Sequence, residues 1–190
     1  MKIGIYSGSF NPIHKGHTAL ADYLLQHSDL DEIWLVVSPH NPLKDAETLI
    51  SDRDRLQMTR FAVEDFPQLT VSDVEFSLPK PSYTFQTLDF LSKKYPENEF
   101  SLIIGADNLA VFDKWKNYRY LLGNYHIIVY PRKNFDVDLT TYPQVDFFAD
   151  APLFDISSTE IREKIKKREN ISEFLAPKVY NYLINNKLFL

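Results

Sequence analysis

Cysteine is absent from this chain. A disulfide framework, a thiolate metal site and a catalytic thiol are therefore excluded, and a reducing compartment suits the chain. Long apolar runs are also missing. Met1 to Tyr6 passes directly into polar residues without the apolar stretch of a signal peptide. No segment approaches the length of apolar chain needed to cross a bilayer. A cytoplasmic protein with no membrane partner is the expectation. Clustered cations are scarce too. The net charge is -5, and the one basic run, Arg162 to Arg168, is interrupted by Glu163. That run reads as a solvated helix face, and no nucleic-acid partner is expected, because such binding needs clustered cations to displace counterions. Internal repeats, low-complexity tracts and domain linkers are not found.

What remains is an ordinary globular composition. The chain is 44% hydrophobic and 25% charged, with 14 Phe and 11 Tyr, so large rings should fill much of one core. One domain, 1–190, is expected, with 157–190 as its C-terminal helical part. A single core accounts for the apolar positions, which points to a monomer or weak homo-oligomer.

The periodicity alternates between two types. Lys2 to Ser7 reads as a buried strand, and His14 to His27 as a helix with Leu20, Leu24 and Leu25 at helical spacing. Further strands are expected over Glu32 to Val37, Leu69 to Phe76, Phe100 to Ile104, His126 to Tyr130 and Val145 to Ala149. Ser51 and Ser82 are candidate N-caps, and Ser157 with Glu160 matches a capping box. Pro177 suits the first turn of a last helix. Strands alternating with helices predict an α/β fold of Rossmann-like type. Its sheet should be mostly parallel, covered by helices on both faces, and followed by a small C-terminal helical subdomain. Such folds bind ligands beyond the carboxyl ends of their strands. The unusual residues cluster there: Gly8 to His17, His40 to Lys44, Gly105 to Asp107, and Pro131-Arg132.

Two segments carry most of the chemistry. The first is Gly8-Ser9-Phe10-Asn11-Pro12-Ile13-His14-Lys15-Gly16-His17. Gly8 lets backbone approach a ligand closely. His14 and His17, three apart at a predicted helix start, share one face, and the helix end favours an anion there. The second is Ile156-Ser157-Ser158-Thr159-Glu160-Ile161-Arg162. Its hydroxyls and free N–H groups at a helix start suit phosphate, and Arg162 can reach back with a forked guanidinium.

These segments resemble the GxFxPxHxGH and ISSTxIR signatures of the HxGH nucleotidyltransferases. The resemblance extends over essentially the whole chain. It implies that His14 and His17 contact the phosphates of ATP, and that Ile156, Ser157, Ser158, Thr159 and Arg162 bind the same phosphates. Gly8, Ser9 and Phe10 belong to the same expected ATP site, and His14, His17 and Arg162 are its expected catalytic residues. Many members have Asp where this chain has Asn11, although Asn is common among those acting on pyridine nucleotides.

The acceptor must be read elsewhere. Ser82-Tyr83-Thr84-Phe85-Gln86-Thr87 resembles the SYTxxT segment of nicotinate-mononucleotide adenylyltransferases. That likeness implies acceptor roles for Tyr83 and Thr84, with Trp115 stacking on the pyridine ring and Lys44 supplying a basic group. Gly105-Ala106-Asp107 resembles the GxD element that holds a ribose, and Arg132 is a candidate phosphate contact. Each residue alone has a plainer reading: Trp115 as core, Tyr83 as packing, Asp107 as a helix cap, Lys44 as a solvated loop charge.

The implied reaction is attack by the acceptor's phosphate on the alpha-phosphorus of ATP. A phosphate monoester is mostly dianionic at neutral pH, its second pKa being about 6, so no general base is required. No carboxylate cluster forms a metal cage, and Mg²⁺ is expected to arrive on the triphosphate. ATP and nicotinate mononucleotide are the expected partners. The alternatives are nicotinamide mononucleotide or phosphopantetheine as acceptor, or a non-catalytic nucleotide sensor on the same fold.

Overall fold

The computed structural model describes residues 1–39 and 49–190. Six strands form one sheet: β1 (Lys2–Gly8), β2 (Glu32–Val37), β3 (Leu69–Ser72), β4 (Glu99–Gly105), β5 (His126–Tyr130) and β6 (Val145–Phe147). Their order is β3-β2-β1-β4-β5-β6 and every pairing is parallel. The order reverses between β1 and β4, so a crevice opens beyond their carboxyl ends. The register sets those ends side by side, with Gly8 opposite Val37 and Gly105 opposite Tyr130.

Alternation along the strands divides the core into two layers. Ile3 and Ile5 of β1, Leu102 and Ile104 of β4, and Ile127 and Val129 of β5 face one side. Tyr6, Ile103, Ile128 and Tyr130 face the other. The first side is covered by α3 (Thr84–Lys94), α4 (Ala106–Leu109) and α5 (Tyr118–Asn124). The second is covered by α1 (Lys15–His27), α2 (Asp52–Val63), α6 (Ser158–Lys166) and α7 (Pro177–Asn185). Ile161, Ile165, Val179 and Leu183 of the last two helices join the same apolar cluster as Leu20 and Leu24 of α1. Among the described residues no helix is long and apolar enough to cross a membrane.

The helix ends follow their local chemistry. The Ser51 hydroxyl accepts from the Asp54 N–H at 3.0 Å, and Asp52 and Asp54 sit at the positive end of α2. Ser157 and Glu160 form the reciprocal cap of α6, at 3.2 and 2.7 Å. Pro177 occupies the first turn of α7.

Three sequence expectations need correction. The strand expected over Leu69 to Phe76 stops at Ser72, and Val74–Phe76 is a single 3₁₀ turn. Asp73 leaves the extended region (φ −103°, ψ 16°), and the Phe76 N–H donates back to the Asp73 carbonyl at 2.9 Å, which closes a turn and ends the strand. Ser82 does not cap α3. Tyr83 does, with its N–H donating to the Gln86 side chain at 3.2 Å, while the Ser82 hydroxyl donates to Glu75 at 3.5 Å. The last strand ends at Phe147, where the chain closes a turn through Ala151 N–H to the Phe148 carbonyl.

Candidate active site

The first motif leaves β1 at Gly8 and enters α1 at Lys15, with His14 as N-cap. Phe10 takes a left-handed backbone conformation (φ 43°) and the Asn11–Pro12 peptide is cis. The two imidazoles stand together, with centroids 3.8 Å apart. The His14 backbone N–H donates to His17 Nδ1 at 3.2 Å, so the neutral His17 ring carries its proton on Nε2. His14 is buried, yet among the described residues its Nδ1 has no hydrogen-bond partner. Gly16 is required beside it. A Cβ there would lie 2.9 Å from His14 Nδ1.

The second motif docks on the first across 151 residues of sequence. Arg162 Nη1 donates to the Asn11 carbonyl at 2.8 Å and Nη2 to the Thr159 hydroxyl at 3.2 Å. The Ser158 hydroxyl donates to the Pro12 carbonyl at 2.9 Å. The start of α6 is thereby fixed against the loop that carries the histidines.

The ends of β4 and β5 complete this group. Arg132 Nη2 donates to the Tyr130 hydroxyl at 3.1 Å, and its Nε lies 3.5 Å from Asp107 Oδ1. That oxygen is buried and, among the described residues, accepts no hydrogen bond. Gly105 accommodates the pair, because a Cβ there would stand 2.3 Å from Asp107 Oδ1 and 3.0 Å from Arg132 Nε. Tyr6 and Tyr130 pack edge to face, and Tyr6 and Phe10 both lie against His17. Tyr6 and Tyr130 were not singled out by sequence. Their signal is a ring with a polar tip at the carboxyl end of an otherwise aliphatic strand.

Arg55 was missed as well. Its side chain is fully buried behind the histidine loop. Nη1 donates to the carbonyls of Ser9 (2.6 Å) and Ser38 (2.7 Å), Nε to that of Ile50 (3.3 Å), and Nη2 to Asp52 (2.5 Å).

The acceptor candidates gather across the switch point. Tyr83 is the N-cap of α3, and Lys116 Nζ sits over its ring at 4.5 Å. Trp115, next in sequence, is half-buried against Phe112 at 5.2 Å. Thr84 is the first residue of α3 and partly exposed. Lys44 lies outside the described residues.

A crevice lined by paired imidazoles, two guanidinium groups and a helix start is built for a polyanion. The chain's relatives agree. Residues 5–164 match the cytidylyltransferase-like family model. The chain is 49% identical to a curated protein of Flavobacterium johnsoniae named as a probable nicotinate-nucleotide adenylyltransferase, covering 100% of this chain and 99% of that one. A Bacteroides fragilis protein of the same name is 50% identical over 96% of this chain and 91% of its own. The chain belongs to the cytidylyltransferase-like family, and within it to the nicotinate-nucleotide adenylyltransferases. Among solved structures, the Plasmodium falciparum nicotinic acid mononucleotide adenylyltransferase complexed with NaAD superposes with a TM-score of 0.84. It covers 99% of this chain and 97% of that one at 22% identity, a likeness of fold.

Both imidazoles are neutral near pH 7 when no ligand is bound. Burial and then the Arg132 charge push His14 from 6.5 down to about 4. Burial, His14 and Arg132 hold His17 well below the usual range. The folded state therefore binds fewer protons than the unfolded chain between these limits. Stability is full above the unfolded value of 6.5 and falls as pH drops toward the folded value. His14 alone should cost about 2 kcal/mol between roughly pH 7 and pH 5. Urea unfolding at both values should show a steeper loss in the wild type than in a His14→Gln variant. Parallel slopes would contradict the assignment.

Proposed function

We propose that the chain transfers AMP from ATP to nicotinate mononucleotide, giving nicotinate adenine dinucleotide and pyrophosphate, as a single domain spanning 1–190 with 157–190 its C-terminal helical part. The observation that carries the reading is the meeting of the two motifs: Arg162 and Ser158 hold the loop that ends in His14 and His17. In this reading the triphosphate lies along Gly8, Ser9 and Phe10, over the two imidazoles, and against Ile156 to Arg162. Arg132 adds a cation from just beyond β5, and Asp107 accepts from the ribose hydroxyls. Tyr83, Thr84 and Trp115 face the nicotinate end, and Lys44 supplies a basic group to it.

The chemistry is positional and electrostatic. An oxygen of the acceptor phosphate forms a bond to the alpha-phosphorus, and the bond to the bridging alpha-beta oxygen breaks. The electron pair leaves with pyrophosphate. Neutral His14 and His17 donate N–H hydrogen bonds, and the approaching phosphates raise their pKa, so that charge develops where it is needed. The donors facing the crevice are N–H and guanidinium groups, which suit phosphate oxygens. Among the described residues no group of three His, Asp or Glu is arranged to hold a metal ion. In this reading Mg²⁺ would come bound to the triphosphate, beside His14, His17 and Arg162, and would supply further charge neutralisation there. The reading also places the enzyme in the cytoplasm, acting as a monomer or weak homo-oligomer on small molecules, without nucleic acid or membrane.

Arg162→Ala tests the nucleotide half. It should raise KM for ATP by about tenfold and lower kcat as well, since charge-assisted hydrogen bonds to phosphate are lost. The KM for nicotinate mononucleotide should stay within a factor of about two. Steady-state kinetics with each substrate varied in turn reads both. A selective rise in the acceptor KM would overturn the placement of the triphosphate.

A further inference from the structure

Glu75 is a buried carboxyl that neither signature accounts for. It is 5% exposed and sits in the 3₁₀ turn beyond β3, on the side of the sheet where the crevice opens. Among the described residues no Lys, Arg or His forms an ion pair with it. Its partners are hydroxyls. Thr87 Oγ1 donates to Oε1 at 3.0 Å, Ser7 Oγ to the same oxygen at 3.5 Å, and Ser82 Oγ to Oε2 at 3.5 Å. The Ser38 side chain also hydrogen-bonds to it. Burial pushes its pKa up, and these hydroxyls pull it back.

The positions of the donors matter more than their number. Ser7 is the penultimate residue of β1, one residue before the end of the strand where the histidine loop begins, and Ser38 directly follows β2. Ser82 and Thr87 bracket Tyr83 and Thr84 at the start of α3. One carboxylate thus ties the phosphate side of the crevice to the acceptor side. A buried acid without a cation is a poor device for stability, because desolvating it costs more than an apolar side chain of similar size would. As an acceptor-only group it does one thing an amide does not. It takes every surrounding hydroxyl as a donor and so fixes all their orientations at once.

We propose that Glu75 is the positioning residue of the acceptor half of the site: its carboxylate gathers Ser7, Ser38, Ser82 and Thr87 and sets where Tyr83 and Thr84 stand relative to the histidine loop. The proposal rests on the assignment of Tyr83 and Thr84 to the acceptor. It acts through those residues, without touching substrate.

The experiment is steady-state kinetics of Glu75→Gln, Thr87→Val and Tyr83→Ala, with ATP and nicotinate mononucleotide varied separately and folding checked by circular dichroism. Glu75→Gln keeps size and shape but replaces one acceptor with a donor. It should raise the acceptor KM by about tenfold, leaving KM for ATP and kcat within a factor of about three. Thr87→Val deletes the shortest bond and leaves the carboxyl in place, so it should raise the same KM by a smaller factor. It carries the test should the Gln variant fail to fold. Tyr83→Ala should also raise the acceptor KM. If it does and both network variants are silent, or move the two KM values equally, the positioning role is overturned while the acceptor segment stands. If Tyr83→Ala has no effect, the acceptor segment itself is wrong and the proposal falls with it.

Discussion

His17→Ala should lower kcat by a factor on the order of 10² or more while leaving the protein folded, as removal of one preorganised donor to developing charge does. The ring is placed with care. Phe10 and Tyr6 pack against it, at centroid distances of 5.2 and 6.2 Å, and the His14 N–H holds Nδ1, so the remaining proton on Nε2 is directed by the fold. Burial, and then the charges of His14 and Arg132, keep the ring neutral until an anion arrives. Neutrality in the free enzyme is a useful state. A permanent imidazolium would bind triphosphate tightly before reaction, whereas a group that gains charge as charge develops favours the transition state. The loss should therefore fall on kcat more than on KM for ATP. Pre-steady-state pyrophosphate release with saturating substrates would read it. Turnover near that of the wild type in a folded variant would remove His17 from the mechanism.

Arg55→Met is the second large effect, and it acts on stability first. Arg55 is fully buried and serves three carbonyls and one carboxylate. Met fills most of the volume but donates nothing. The Ser9, Ser38 and Ile50 carbonyls then lose their buried donor, and Asp52 loses its cation. Asp52 is 37% exposed and loses little, but a carbonyl left without its buried donor costs about 1–3 kcal/mol, so roughly 3–5 kcal/mol is expected for the three together. At this chain length that corresponds to a fall in Tm of roughly 10 °C. The Ser9 carbonyl belongs to the histidine loop, so residual activity of the folded fraction should fall too. Thermal melts followed by circular dichroism give the first quantity and turnover at low temperature the second. An unchanged Tm would show that the guanidinium is no more than filler.

Much of the frame is legible in the sequence because it follows from periodicity. β2 and β5 have the bounds their apolar runs predict, and Ser51 caps α2 as its side chain suggests. The two histidines, the Ser157–Glu160 cap and Arg162 come together because each sits where a strand or loop meets a helix. The misses share one cause. Val-Ser-Asp-Val-Glu-Phe looks like an alternating strand, and only the tertiary fold shows that Glu75 turns inward and draws Ser82 away from the cap of α3. Arg55 reads as one charge among several in Ser-Asp-Arg-Asp-Arg, and no local spacing tells that it is buried. α4 and α5 are four and seven residues long, too short for a helical period to show.

The central claim is adenylyl transfer to a nicotinate acceptor, and pyrophosphate release tests it most directly. The protein, ATP and Mg²⁺ would be offered nicotinate mononucleotide, nicotinamide mononucleotide and phosphopantetheine in separate reactions. Strong preference for nicotinate mononucleotide is the predicted result, and it gives Tyr83, Thr84 and Trp115 their work. Equal or better turnover with either other acceptor, or no release with any of the three, would contradict it.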